Sequence, residues 1–176
     1  MIATRVGFAG GTIANPDYSH PGDHREVVEV TYDPVRTSYA QLLDAFWRSH
    51  PATIGGGPLR TREAVLCKLD GQRRAALASR RAVAHRAGEA VATEVLSEGR
   101  FWVAPEIHQK ANLRRVAPEL VRELARRYGS ERAFLASPAA AELNAYAAGF
   151  GGEEVLRRAS AGLGIPAERL ARHFPR

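Results

Sequence analysis

The chain carries one cysteine, Cys67, and six histidines, at positions 20, 24, 50, 85, 108 and 173. A cysteine attacks as its thiolate, and it needs a neighbouring positive charge, a helix N-terminus or a metal to reach that state near neutral pH. Cys67 closes the apolar run Ala64-Val65-Leu66, which reads as an inner strand. There a thiol behaves as a small hydrophobe, and it is expected to be buried and slow to label. With no second cysteine there is neither an internal disulfide nor a partner to resolve an oxidised thiol. The histidines form no His-Glu-x-x-His pair and no Cys/His spacing, so no metal site is expected. Tyr18 and Glu26 lie eight residues apart on either side of a loop containing Pro21 and Gly22. By residue type alone, Tyr18 reads as a half-buried loop aromatic and Glu26 as a surface carboxylate opening a strand.

The elements that must position these residues follow from pattern. Residues 2–8 read as a short β-branched strand, broken by Gly10-Gly11 and Asn15-Pro16, with a loop to about His24. Val27, Val28, Val30 and Tyr32 make a second strand that stops at Asp33-Pro34. Ser38 or Thr37 can cap a helix over Tyr39–Arg48, where Leu42, Leu43, Phe46 and Trp47 recur at helical spacing. Residues 64–67 form the third strand. A long Arg/Ala-rich helix runs from Asp70 to Ala87 and closes at Gly88. Residues 91–96 read as a fourth strand. Beyond Phe101 the pattern is helical, with helices over 118–128, 138–147, 153–161 and 166–172 and no internal repeat. The fold class is α+β: a small mixed or antiparallel sheet with flanking helices, followed by a helical C-terminal extension.

The chain has 176 residues, enough for one ordinary domain with a small appendage. No stretch approaches the ~20 apolar residues of a membrane-spanning helix. The N-terminus, MIATRVGFAGG, has no signal-peptide core, so a cytoplasmic location is expected. The net charge of +6 raises the question of a nucleic-acid partner. Only Lys68 and Lys110 are lysines, and the arginines are scattered along helices among glutamates and alanines, a habit of GC-rich genomes. No basic-aromatic pattern accompanies them, and neither a nucleic acid nor a membrane is expected as partner.

Six stretches in order carry a resemblance. They are VGFAGG at 6–11, Asn15-Pro-Asp-Tyr18, Gly22-Asp-His-Arg-Glu26 running into ValValGluValThrTyrAspPro, SYAQLLDAFW at 38–47, REAVL at 62–66, and FWVAPEIHQK at 101–110. Together they resemble the A-type peptide methionine sulfoxide reductases, and SPAAAELNAYAAGFG at 137–151 resembles the tail of a branch with a helical extension. The resemblance implies a reductase-like α+β core over 1–116 and a helical extension over 117–176 packed on it. It implies reduction of the S epimer of methionine sulfoxide, free or in peptides. A thiolate attacks the sulfur, a carboxyl protonates the departing oxygen, and the sulfenic acid is returned to a thiol by thioredoxin or another dithiol, with no bound cofactor.

Carried over residue by residue, the resemblance makes Glu26 the proton donor, partly buried with a raised pKa, and Tyr18 a phenol aimed at the sulfoxide oxygen. It folds their loop so that the two side chains converge in a concavity. His24 and Thr61 become substrate-side residues, His24 chiefly as a brace for the loop and Thr61 roughly where a second tyrosine would stand. Ile107 replaces another tyrosine, and His108 is structural. The family's Gly-Cys-Phe-Trp nucleophile motif, with its strand and helix, would precede Met1. The resemblance therefore predicts a core without its first strand and helix. Two readings stay open: a reductase, or a catalytically inactive binding or regulatory module.

Overall fold

The computed structural model describes residues 3–174. β1 (Ala3–Ala9) begins on alternating, part-exposed residues and ends on Gly7, Phe8 and Ala9, all buried. It lies between β2 (Arg25–Thr31) and β5 (Trp102–Val103) in a three-stranded sheet of order β2-β1-β5. β5 was not anticipated from pattern; two residues are too few to show a period. It pairs antiparallel with β1, Gly7 opposite Val103 and Phe8 opposite Trp102. Gly7 is required there. A Cβ would stand 2.2 Å from the Trp102 carbonyl oxygen and 2.7 Å from the Phe101 ring.

A second sheet is a parallel pair, β3 (Ala64–Cys67) and β4 (Glu94–Ser97), in register from Ala64 opposite Glu94 to Cys67 opposite Ser97. The small sheet expected from sequence is thus two sheets. The fourth strand starts at Glu94 rather than at residue 91. The N–H groups of Ala92 and Thr93 both turn to the Ala52 carbonyl instead of a strand partner, and the alternation of apolar residues there reflects burial of Val91 and Thr93 in a loop.

Contacts group the chain into two compact units: residues up to Val6 with Val28–Tyr32 and everything from Ala104, and Gly7–Val27 with Asp33–Val103. In the second, α1 (Tyr39–Arg48) carries the capping box of Ser38 and Gln41. α2 (Asp70–Ala87) ends at Gly88 as its sequence predicts. Leu43 of α1, Ala76 of α2, Cys67 and Val95 form a buried cluster, packed by Tyr39, Trp47, Val65 and Leu77. The indole of Trp47 donates to the Ser79 hydroxyl at 2.9 Å, tying α1 to α2.

The other unit is built from α3 (Ala111–Val116), α4 (Pro118–Arg127), α5 (Glu131–Leu135), α6 (Pro138–Ala147), α7 (Gly152–Leu163) and α8 (Ala167–Ala171). α3 and α5 are a turn or two long, too short for a helical period to show in the sequence. Leu113, Leu120, Leu124, Phe134, Leu143 and Leu170 are at most 1% exposed and form its centre. Alanines 139 and 140 of α6 are buried with them and keep that helix face small enough for close packing.

Two residues of the HisGlnLys block have a purpose that sequence reading left open. The Gln109 side chain accepts from the Val6 N–H and donates to the Val6 carbonyl, both at 2.9 Å, and also reaches the Ala104 carbonyl at 3.0 Å. One amide thereby continues the β1 ladder beyond the end of β5. Lys110, left-handed at φ 53, donates its ammonium to the Thr4 carbonyl at 2.5 Å. Burial lowers its pKa to about 8.

Candidate active site

The loop between β1 and β2 is held by its own side chains. His24 is 1% exposed. Its Nδ1 accepts from the Gly11 N–H at 3.2 Å, which leaves Nε2 to donate to the Ile13 carbonyl at 2.7 Å. Asp23 takes the N–H groups of Thr12 and Ile13 and the Thr12 hydroxyl at 2.8–3.2 Å. Gly11 permits this approach, because a Cβ would lie 2.5 Å from an Asp23 oxygen and 2.8 Å from the His24 ring. Both ring nitrogens of His24 are spent on main chain, so it braces the loop.

At the other turn of the loop, Asp17 accepts from the Ser19 and His20 N–H groups at 2.7 and 2.6 Å. That turn sets the direction of Tyr18. The Tyr18 ring packs edge-on against Phe8, with centroids 5.0 Å apart, and its hydroxyl donates to Glu26 Oε1 at 2.8 Å. The two residues expected to converge therefore touch. Glu26 itself is exposed, not partly buried. The start of β2 explains this by alternation: Arg25 points inward and pairs with Glu94 at 2.6 Å, so Glu26 faces out. Burial, the Glu26 hydrogen bond and the Glu26 charge push the Tyr18 phenol up to about 12. Tyr18 is thus a protonated donor throughout the neutral range.

Thr61 makes no hydrogen bond to this pair. It ends a 3₁₀ turn, Leu59–Thr61, is exposed, and gives its hydroxyl to the Pro58 carbonyl at 3.1 Å. Its neighbour Arg60, which sequence reading passed over, does reach the site: Nη1 donates to the Tyr18 carbonyl at 3.2 Å. Nothing local marks that contact, since 42 residues separate the partners. A cleft of about 150 Å³ is lined by Gly55, Gly56, Arg62, Glu63, Ala92 and Glu94; Tyr18 and Glu26 are not among its walls. His108 lies in the 3₁₀ turn Glu106–His108, and Ile107 beside it is 71% exposed. No group of three His, Cys, Asp or Glu side chains able to hold a metal occurs among the described residues.

Cys67 is 5% exposed, with its sulfur 3.7 Å from the Tyr39 hydroxyl, in the cluster between β3 and helices α1 and α2. Leu66, the preceding strand residue, points the other way: it is what a Cβ on Gly10 would meet, at 3.1 Å. Strand alternation therefore places the thiol on the helix-covered face. Native protein is expected to react with a maleimide at neutral pH far more slowly than protein unfolded in guanidinium. Equal rates measured by mass spectrometry would contradict this burial.

Chain comparison adds the family. The family model for "Peptide methionine sulfoxide reductase" matches residues 1–119. The chain belongs to the peptide methionine sulfoxide reductase family. It is 34% identical over 174 residues to a peptide methionine sulfoxide reductase of Drosophila melanogaster, covering 96% of this chain and 68% of that one. It is 36% identical over 159 residues to peptide methionine sulfoxide reductase A5 of Oryza sativa subsp. japonica, covering 84% of this chain and 59% of that one. It thus spans about three fifths to two thirds of these relatives' length. Among solved structures, Mxr1 from Saccharomyces cerevisiae in reduced form superposes with TM-score 0.56 at 22% identity, over 60% of this chain and 66% of that one. Methionine sulfoxide reductase A of Corynebacterium diphtheriae gives 0.53 at 26%, over 64% and 62%. The α+β fold is therefore that of this reductase family.

Within it, the loop that carries Tyr18 depends on Asp23. Four hydrogen bonds from Thr12 and Ile13 hold the Asp23 carboxyl at about 2, below its ordinary 3.8. A carboxyl depressed on folding stabilises the fold above its unfolded pKa, and the contribution disappears as pH falls through the folded value. Between pH 4 and pH 2, wild-type thermal stability should therefore fall more steeply than that of Asp23→Asn. Parallel melting curves against pH would show that the carboxylate is not engaged.

Proposed function

We propose that Tyr18 and Glu26 form the oxygen-binding and proton-donating half of a peptide-methionine (S)-S-oxide reductase site. The substrate would be methionine-S-sulfoxide in proteins or as the free amino acid, and the reductant thioredoxin or another dithiol. The observation that carries the reading is the 2.8 Å Tyr18–Glu26 contact, in a member of this family. A sulfoxide oxygen is a strong hydrogen-bond acceptor, and a phenol with its pKa near 12 keeps its proton to offer. At rest that proton goes to Glu26. With substrate present the sulfoxide oxygen takes it, and Glu26, bonded to the phenol, is placed to relay a proton to the same oxygen.

The full step balances as follows. A thiolate attacks the sulfoxide sulfur, forming an S–S bond as the oxygen is protonated. The hydroxyl then passes to the cysteine sulfur, breaking the S–O bond to methionine and the S–S bond, so that the thioether leaves and the cysteine is a sulfenic acid. The two electrons come from the cysteine sulfur. A dithiol then removes the oxygen as water and becomes a disulfide. Tyr18 and Glu26 supply the proton and the oxygen site; Cys67 is buried in the cluster of β3, α1 and α2, with no contact to either of them. That placement favours the second reading for these 176 residues, a module that binds the sulfoxide without turning it over.

Titration calorimetry with N-acetyl-methionine-S-sulfoxide tests the site. The S epimer should bind more tightly than the R epimer, and Tyr18→Phe should weaken it about fivefold, the worth of one hydrogen bond of ~1 kcal/mol. Equal binding by wild type and Tyr18→Phe would remove the assignment.

A further inference from the structure

Arg60 brings to this site a charge that no carboxylate among the described residues neutralises. The buried Arg25 pairs with Glu94 and the part-buried Arg114 with Glu131, whereas Arg80, like Arg60, bonds only a main-chain carbonyl, that of Val91. Arg60 is half-buried and makes a single hydrogen bond, from Nη1 to the Tyr18 carbonyl. The Glu26 carboxylate accepts from the Tyr18 hydroxyl and forms no ion pair with Arg60. A guanidinium has five donors in a planar fork, so the bond from Nη1 leaves the Nε–Nη2 edge open. That edge matches a carboxylate in two parallel hydrogen bonds. The Arg60 charge is also felt at the Tyr18 phenol, whose pKa it pulls down against the effects of burial and Glu26, so fork and phenol act on one locality. A dianion is disfavoured, because the same loop carries Asp17, Asp23 and Glu26.

We propose that Arg60 is the specificity residue of the site and takes a carboxylate borne by the sulfoxide substrate. The proposal rests on the reading of Tyr18 and Glu26 as the sulfoxide-oxygen site. The carboxylate has two sources: the α-carboxylate of free or C-terminal methionine sulfoxide, or an acidic side chain next to the sulfoxide inside a peptide.

The test is binding to the 176-residue protein, measured by NMR titration. N-acetyl-methionine-S-sulfoxide is compared with its N-methylamide, and an end-blocked peptide with glutamate after the sulfoxide is compared with its glutamine counterpart. N-acetyl-norleucine supplies the carboxylate without the sulfoxide. At least one acid should bind about tenfold more tightly than its neutral twin, and the pair that shows the preference identifies the source. Arg60→Gln should erase the preference between acid and neutral twin, and Arg60→Lys should retain part of it. Equal binding of acid and neutral twin in both pairs would overturn the role of Arg60 and leave the sulfoxide site standing. A norleucine acid that binds as well as the sulfoxide acid, through Arg60, would keep the carboxylate site and reject the sulfoxide reading. Absence of binding by every ligand overturns both.

Discussion

The purified 176-residue protein, given a methionine-S-sulfoxide peptide and excess dithiothreitol, is expected to release methionine no faster than a boiled sample. The reduction moves two electrons onto the sulfoxide, and in this chemistry they come from a thiolate. Tyr18 and Glu26 can bind oxygen and deliver a proton, but neither is a two-electron donor. The remaining thiol, Cys67, sits 5% exposed between β3 and two helices, facing away from the side on which Leu66 meets Gly10. Dithiothreitol free in solution gains none of the orientation that makes an enzymic attack fast, a factor worth roughly 10⁵ M or more in effective concentration. Cys67→Ser should leave the background rate unchanged. Thiol-dependent turnover that disappears in Cys67→Ser would show that strand β3 opens to expose the sulfur, and would move the nucleophile to that position.

The features that sequence exposes are those carried by neighbours along the chain. α1 declares itself through Ser38 and the spacing of Leu42, Leu43, Phe46 and Trp47, and α2 through Gly88. The Tyr18–Glu26 contact was also expected, but only through the resemblance of the Asn15–Tyr18 and Gly22–Glu26 motifs to the family; by residue type alone the two read as a loop aromatic and a surface carboxylate. What stayed hidden joins distant positions. β5 is two residues long and exists because Gly7 has no side chain. Gln109 looks like an ordinary polar residue until its amide is seen bonding to Val6, 103 positions away. Arg60 reaches Tyr18 from a turn whose sequence gives no hint of contact, whereas Thr61, chosen by alignment with a motif, turns its hydroxyl into the same turn. The exposure of Glu26 follows from the inward Arg25, which is stabilised by Glu94 from another sheet. Such partners are chosen by tertiary packing, which periodicity does not record.

Phe8 links this packing to the site, and Phe8→Ala should be the most damaging single change near it. The side chain is 1% exposed on β1, opposite Trp102 in the ladder, and its ring supports Tyr18 edge-on at 5.0 Å. Truncating a fully buried phenylalanine removes its burial and leaves a cavity, together costing about 3–5 kcal/mol. In a protein of this size each kcal/mol lowers the melting temperature by roughly 2–4 °C, so a fall of about 10 °C is expected. Phe8→Leu should recover more than half of it by refilling the volume. Part of the loss belongs to the aromatic pair: a cycle of Phe8→Leu with Tyr18→Leu should show a coupling of about 0.5–1.5 kcal/mol. Tyr18→Phe keeps the ring and should stay within about 1 kcal/mol of wild type in stability, although it loses the bond to Glu26. A Phe8→Ala protein that melts within 2–3 °C of wild type, with unaltered sulfoxide binding, would mean that Tyr18 is positioned by its loop alone.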